Sequence, residues 1–217
     1  MFALALHFPQ VVNSVTSAVI PFIPSNSSKD PMERFLTKPG IFDYQRYFYL
    51  QEGGAEKELE KDVPTTIKTI FRRHNDKTNI KEKLIATDIT ERGYWLPKES
   101  HKMDDGTLLT NEERQLYIST FSKNGFRGPL NWYRNVKENW KFSNSVEGKK
   151  IEKPVLMVTV NKDFLFNLDS TLHMEAFAPR LFRANLHTSH WVQAEEPQAF
   201  NQVLEKFLHF VHNKSNL

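Results

Sequence analysis

The chain has 217 residues, room for one domain or for a core with a lid. Hydrophobic residues make up 39% and charged residues 25%, and seventeen Phe with four Trp supply core material, which excludes a disordered chain. The formal charge of +3 comes from 29 basic and 26 acidic residues of interspersed sign, and with no cysteine there is neither a disulfide framework nor a Cys-based zinc site, a composition that suits the cytoplasm.

In chain order, MFALALHFPQVVNSVTSAVIPFI (1–23) has the look of a signal peptide, but no Lys or Arg precedes its apolar run. His7 and Pro9 interrupt it, leaving it too short for a membrane span. It reads as a short apolar helix, a Pro-Gln break and a strand at Val15–Ile20. The helix starts at residue 1 without an N-cap or a preceding strand, as if cut from something longer. PFIP and the polar turn SNSSKDP (25–31) then mark a boundary.

From residue 26 to about 147 aromatic segments alternate with charged helical ones, the pattern of a helical cap or lid. FRRHNDKTNIKEK (71–83) is the densest basic stretch; it carries acids of its own and reads as a solvated helix-and-loop face, so no nucleic-acid partner is expected. The capping box Thr110-Asn-Glu-Glu113 opens a helix that Gly125 closes. GFRGPLNWYRN (125–135) reads as aromatic and loop-rich, with Trp132 and Trp140 as pocket wall or core.

The last third, residues 148–217, has a strand and helix alternation. VLMVTV (155–160), behind a proline, is how a fully buried parallel strand reads, and Asp163 lies just past it. RANLH (183–187) leads likewise to His190, and Gln198–His212 is a closing amphipathic helix. An acid and then a histidine, each after a strand, form the back half of a catalytic triad on an α/β sheet. His187 with His190, and His209 with His212, form two H-x-x-H pairs without a nearby third ligand, so no metal is expected.

Together PFIPSN (21–26), FDYQRYF (42–48), GFRGPLNWYRN (125–135), PVLMVTVNKDF (154–164) and SHW (189–191) followed by EEP resemble the soluble epoxide hydrolase branch of the α/β-hydrolases. The resemblance implies the last three parallel strands of that fold with flanking helices, residues 1–25 and 148–217, plus the helical cap, 26–147. It implies hydrolysis of a lipid or aryl epoxide to a vicinal diol through an aspartyl ester, with no cofactor. Matched by motif, Tyr44 in FDYQ and Tyr133 in NWYR are the lid tyrosines that donate to the epoxide oxygen. Asp163 in NKDF is the acid, His190 in SHW is the base that activates water, and Gln45 and Trp132 border the pocket. A neutral phenol can donate to the oxygen on which charge develops, and an imidazole needs a carboxylate on its other nitrogen.

The nucleophile of the family has no counterpart. No Gly-x-Ser-x-Gly or Asp-bearing elbow occurs among the eight glycines, nor does a His-Gly-x-Pro oxyanion loop. The expectation is therefore a carboxyl-terminal portion, inactive alone, whose strand at Val15–Ile20 is an exposed edge open to homo- or hetero-association. Three other readings remain open at this level. A haloalkane dehalogenase would need Trp or Asn halide donors in place of the tyrosines, a carboxylesterase would need a serine elbow, and a non-catalytic form would bind the full-length enzyme. The terminal KSNL (214–217) differs from a peroxisomal S-K-L at Asn216, which leaves the cytoplasm as the expected location.

Overall fold

The computed structural model describes residues 1–37, 40–76, 81–163, 165–166 and 168–215. It divides the chain into one unit made of Met1–Ser27 with Phe142–Leu217 and another made of Ser28–Lys141. The chain opens with α1 (Phe2–His7) and β1 (Val15–Ala18). Helices follow as α2 (Pro31–Thr37), α3 (Asp43–Leu50), α4 (Gly54–Glu60), α5 (Val63–Ile70), α6 (Lys81–Leu84) and α7 (Ile89–Arg92). Then come α8 (Asn111–Asn124), α9 (Arg127–Arg134) and α10 (Val136–Asn144). The chain closes with β2 (Val155–Val160), β3 (Leu181–Leu186), α11 (Val192–Glu195) and α12 (Pro197–Ser215).

In the first unit β1, β2 and β3 form a parallel three-stranded sheet in that order. All six residues of β2 are buried, as its unbroken apolar run requires of a central strand covered on both faces. Alternation sends Val155 and Met157 to one face, where α1 contributes Ala5 and Leu6 and the neighbouring segments add Ile151 and Met174. Leu156, Val158 and Val160 face the other way, into a cluster with Val192 of α11 and Phe207 of α12. Phe182 of β3 packs against Phe207 and Phe210 at ring-centroid distances of 5.6 and 4.6 Å, which seats α12 on the sheet.

β1 is shorter than the run Val15–Ile20 suggests. Its pairing ends at Ala18 because Val19 adopts a left-handed φ of +67°. The Ile20 N–H donates back to Ala18 O at 2.7 Å, closing a tight γ-turn about Val19. Between β2 and β3 the chain crosses over through a 3-10 segment, Asp169–Ala176, and not a full α-helix. Arg183 of β3 clamps that segment, donating to Thr171 Oγ1 at 2.6 Å and Thr171 O at 2.8 Å while pairing with Glu175 at 2.7 Å.

The second unit is helical among its described residues. Its core joins Tyr47 and Phe48 of α3, Ala55 and Leu59 of α4, Val63 and Ile67 of α5, Ile89 of α7, and Phe126 with Leu130 around α9. α8 carries the expected capping box: Thr110 Oγ1 accepts from Glu113 N at 3.2 Å and Glu113 Oε2 from Thr110 N at 2.8 Å. Gly125 ends it at φ +69°, a backbone conformation that favours glycine, and a Cβ there would also have to push the Glu60 carboxylate aside.

Two readings of this unit are corrected. GFRGPLNWYRN is helical and not loop-rich, because Pro129 falls in the first turn of α9, where a missing N–H costs nothing. The basic stretch 71–83 is not simply a solvated face. Arg72 is buried, held by Asp104 Oδ1 at 2.6 Å and Asp104 O at 2.8 Å beside Asp76, which satisfies its charge away from water. Residues 77–80 of that stretch, and Asn216 and Leu217 of the terminal motif, lie outside the described residues. Among the described residues no helix is long and apolar enough to cross a membrane.

Candidate active-site residues

The acid and the histidine meet in the first unit. Asp163 follows β2 and His190 follows β3, so two adjacent parallel strands deliver them to the same end of the sheet. His190 Nδ1 lies 2.7 Å from Asp163 Oδ2, with the aspartate side chain fully buried. Asp163 Oδ1 accepts from the backbone N–H groups of Leu165 at 2.5 Å and Phe166 at 2.8 Å, which fixes the carboxylate in place. Burial by itself would raise this carboxyl, but the His190 N–H and those backbone donors outweigh it and hold the group below the ordinary carboxylate range. An ionised carboxylate only accepts, so Nδ1 carries the proton and Nε2 is left as the basic nitrogen of His190. Trp191 sets its ring edge-on to the imidazole at 5.2 Å.

The two tyrosines meet in the second unit. Residues Tyr44 and Phe48 lie one turn apart on α3, and α9 crosses that face with Leu130 and Tyr133. Tyr44 and Tyr133 pack edge to face at 5.9 Å, and Phe48 touches both, at 6.1 and 5.1 Å. Burial, and then the nearness of Tyr44, pushes the Tyr133 phenol up, so it is a neutral hydroxyl donor across the physiological range. Gln45 Nε2 donates to the Tyr44 hydroxyl at 3.0 Å. Trp132 is 77% exposed and is not core: it stands about 200° around α9 from buried Leu130.

Buried ionic anchors that sequence reasoning passed over hold each tyrosine helix. Asp43, next to Tyr44, accepts from Thr90 N at 2.7 Å and Thr90 Oγ1 at 2.8 Å, tying α3 to α7. Arg134, next to Tyr133, forks onto Glu56 at 2.6 and 2.9 Å, and Glu56 also accepts from Gly53 N at 2.8 Å. The only signal for either was a charged residue beside a motif tyrosine. As for metals, no group of three potential ligands occurs among the described residues; His187 Nδ1 lies 2.7 Å from Asn161 Nδ2.

No protein-family model matches the chain. Curated relatives do. Bifunctional epoxide hydrolase 2 of Sus scrofa is 37% identical and that of Rattus norvegicus 40% identical, each over 206 residues, or 94% of this chain. Epoxide hydrolase A of Mycobacterium tuberculosis is 26% identical over 210 residues. Among solved structures, epoxide hydrolase A from Mycobacterium thermoresistibile superposes with a TM-score of 0.73 at 29% identity, covering 94% of this chain and 64% of that one. An epoxide hydrolase from an endophytic Streptomyces gives 0.75 at 26%, covering 96% and 64%. The chain spans 36% of the length of the two mammalian relatives.

A parallel sheet that carries an acid and then a histidine past successive strands, with these structural matches, has the fold of an α/β-hydrolase. Over the part of that fold which it spans, the chain is similar in sequence and structure to the epoxide hydrolases.

Proposed function

We propose that the chain supplies two parts of the machinery that hydrolyses a lipid or aryl epoxide to a vicinal diol. The observation that carries the reading is the Asp163–His190 pair, in which the carboxylate accepts the hydrogen bond of Nδ1–H and so sets the lone pair of the neutral ring on Nε2. In the first step a carboxylate attacks a ring carbon and the C–O bond breaks, while Tyr44 and Tyr133 donate hydrogen bonds to the oxygen on which charge develops, which takes its proton from solvent. In the second step His190 Nε2 removes a proton from water as the water attacks the ester carbonyl, giving an imidazolium stabilised by Asp163. The ester C–O bond then breaks, the imidazolium returns the proton to the departing diol oxygen, and the acid formed releases its proton to solvent. The diol leaves and the carboxylate is regenerated. Gln45 would hold the Tyr44 hydroxyl in place, and Trp132 would present its ring to substrate. The attacking carboxylate of this reading has no counterpart among the motifs of these 217 residues, so no turnover is expected of them alone.

Among the described residues β1 pairs with β2 alone, and its other edge supports a second element of the reading, association with another copy or with a longer homologue. The cysteine-free composition supports placement in the cytoplasm.

The test is to incubate the purified chain with an aryl or fatty-acid epoxide and to assay for the diol, while following tyrosine ring resonances. Expected are no diol, together with shifts at Tyr44 and Tyr133 that Tyr133→Phe weakens by about 1 kcal/mol of binding. Diol production abolished by His190→Ala would overturn the missing nucleophile. Epoxide that leaves both tyrosines unperturbed would overturn their role.

A further inference from the structure

His190 stands on a short connection, residues 187–191, between β3 and α11. One carboxylate grips this connection on both sides of the histidine. Glu195 Oε1 accepts from the Ser189 hydroxyl at 2.6 Å and from the Trp191 N–H at 3.2 Å, and its Oε2 accepts from the Ser189 N–H at 3.2 Å. Glu195 is 5% exposed and Ser189 0%. A carboxylate is costly to bury unless it is thoroughly hydrogen-bonded, and here its donors include the two residues that flank His190. Burial would raise its carboxyl, but the Ser189, Thr188 and Trp191 donors hold it low, so it stays an acceptor at neutral pH. The neighbouring Glu196 is exposed and makes no such grip in the structure. Lys162 N–H donates to Thr188 O at 3.1 Å, so the same connection is also fastened to the segment that carries Asp163.

We propose that Glu195 is the positioning residue of His190: it fixes residues 189 and 191 so that the imidazole keeps Nδ1 on Asp163. The inference rests on the acid–histidine reading above and adds to it the group that sets its geometry. Glu195 acts through Ser189 and Trp191, the residues on either side of the imidazole. Without it the connection is free to turn, and the Nδ1–H bond to Asp163 opens more often, although acid and base are both still present. Catalytic competence of the pair then falls with no change in the residues that do the chemistry.

The experiment reads the low-field proton resonance of His190 Nδ1–H in the intact chain, with the fold monitored by circular dichroism. Asp163→Asn must remove that resonance; if it persists, the acid–histidine pairing itself is wrong. Given its removal, Glu195→Gln puts an amide NH2 where one acceptor stood, and exchange of the Nδ1 proton with solvent should quicken about tenfold, as expected for the loss of one hydrogen bond in the connection. Ser189→Ala removes only the shortest of the bonds and should act in the same direction, which keeps the test open if Glu195→Gln does not fold. Glu196→Gln is the control and should leave exchange unchanged. Wild-type exchange in folded Glu195→Gln and in Ser189→Ala would overturn the proposal, as would equal acceleration by Glu196→Gln.

Discussion

At the scale of single residues, the carboxylate of Asp163 is committed on both of its oxygens. One oxygen faces His190 at 2.7 Å and the other caps the turn through Leu165 and Phe166. Its folded value lies below the unfolded one, about 3.9, so between the two the unfolded state binds more protons. The stability it contributes is therefore fully present above about pH 4 and is lost as pH falls through the depressed folded value. Urea unfolding at pH 7 and near pH 3 should show a larger loss for the wild type than for Asp163→Asn. Equal losses would mean that the carboxylate is not held by these donors. The same residues show what sequence alone could reach. Asp163 and His190 were legible because their chemistry is tied to motif and strand order. Glu195 was not, since nothing in Glu-Glu-Pro tells which glutamate turns inward.

At the scale of elements, local signals served where a segment's own residues determine it. The capping box and Gly125 bracket α8 because each is satisfied within its own helix ends. α9 was hidden by composition, since Gly128 and Pro129 suggest a loop until their place in the first turn is known. β1 shows the opposite failure. Its apolar run continues through Ile20, yet Val19 leaves the strand at φ +67° while staying buried against Val158 and Val192. A left-handed conformation costs a β-branched residue about 1–2 kcal/mol. Burial of its side chain offsets that by roughly 1.5–3 kcal/mol. Val19→Gly therefore relieves strain but loses more packing, and a net destabilisation of about 1 kcal/mol is expected in urea unfolding. A gain in stability would show that the strain outweighs the contacts.

For the whole molecule, the informative feature is the free side of β1. The N–H groups of Val15 and Val19 bond to Pro154 O and Val158 O, both at 2.9 Å, so the alternate residues Thr16 and Ala18 turn their backbone groups away from β2. Met1, Leu4, Phe8, Val11, Ile20 and Ile23, all exposed, belong to the same amino-terminal stretch. Association through this edge predicts a species larger than a monomer in sedimentation. Thr16→Pro, which removes a donor from the outer side only, should return it to a monomer with the β1–β2 pairing intact. A wild-type chain that stays monomeric at high concentration would remove the edge as an interface.

The sequence by itself determined the helix and strand types over most of the chain, the parallel character of the last third, and the motifs that mark the epoxide hydrolases. Those properties depend on periodicity, capping and short runs of neighbouring residues, which a linear reading contains. Only the tertiary structure decided which carboxylates are buried, that Arg72 is buried with Asp104 and Asp76 beside its guanidinium, that Trp132 faces solvent, and that Glu195 grips the connection bearing His190. Each depends on which groups from distant parts of the chain reach one another, or on which side of a helix faces the core, and burial makes such pairings costly to leave unmet.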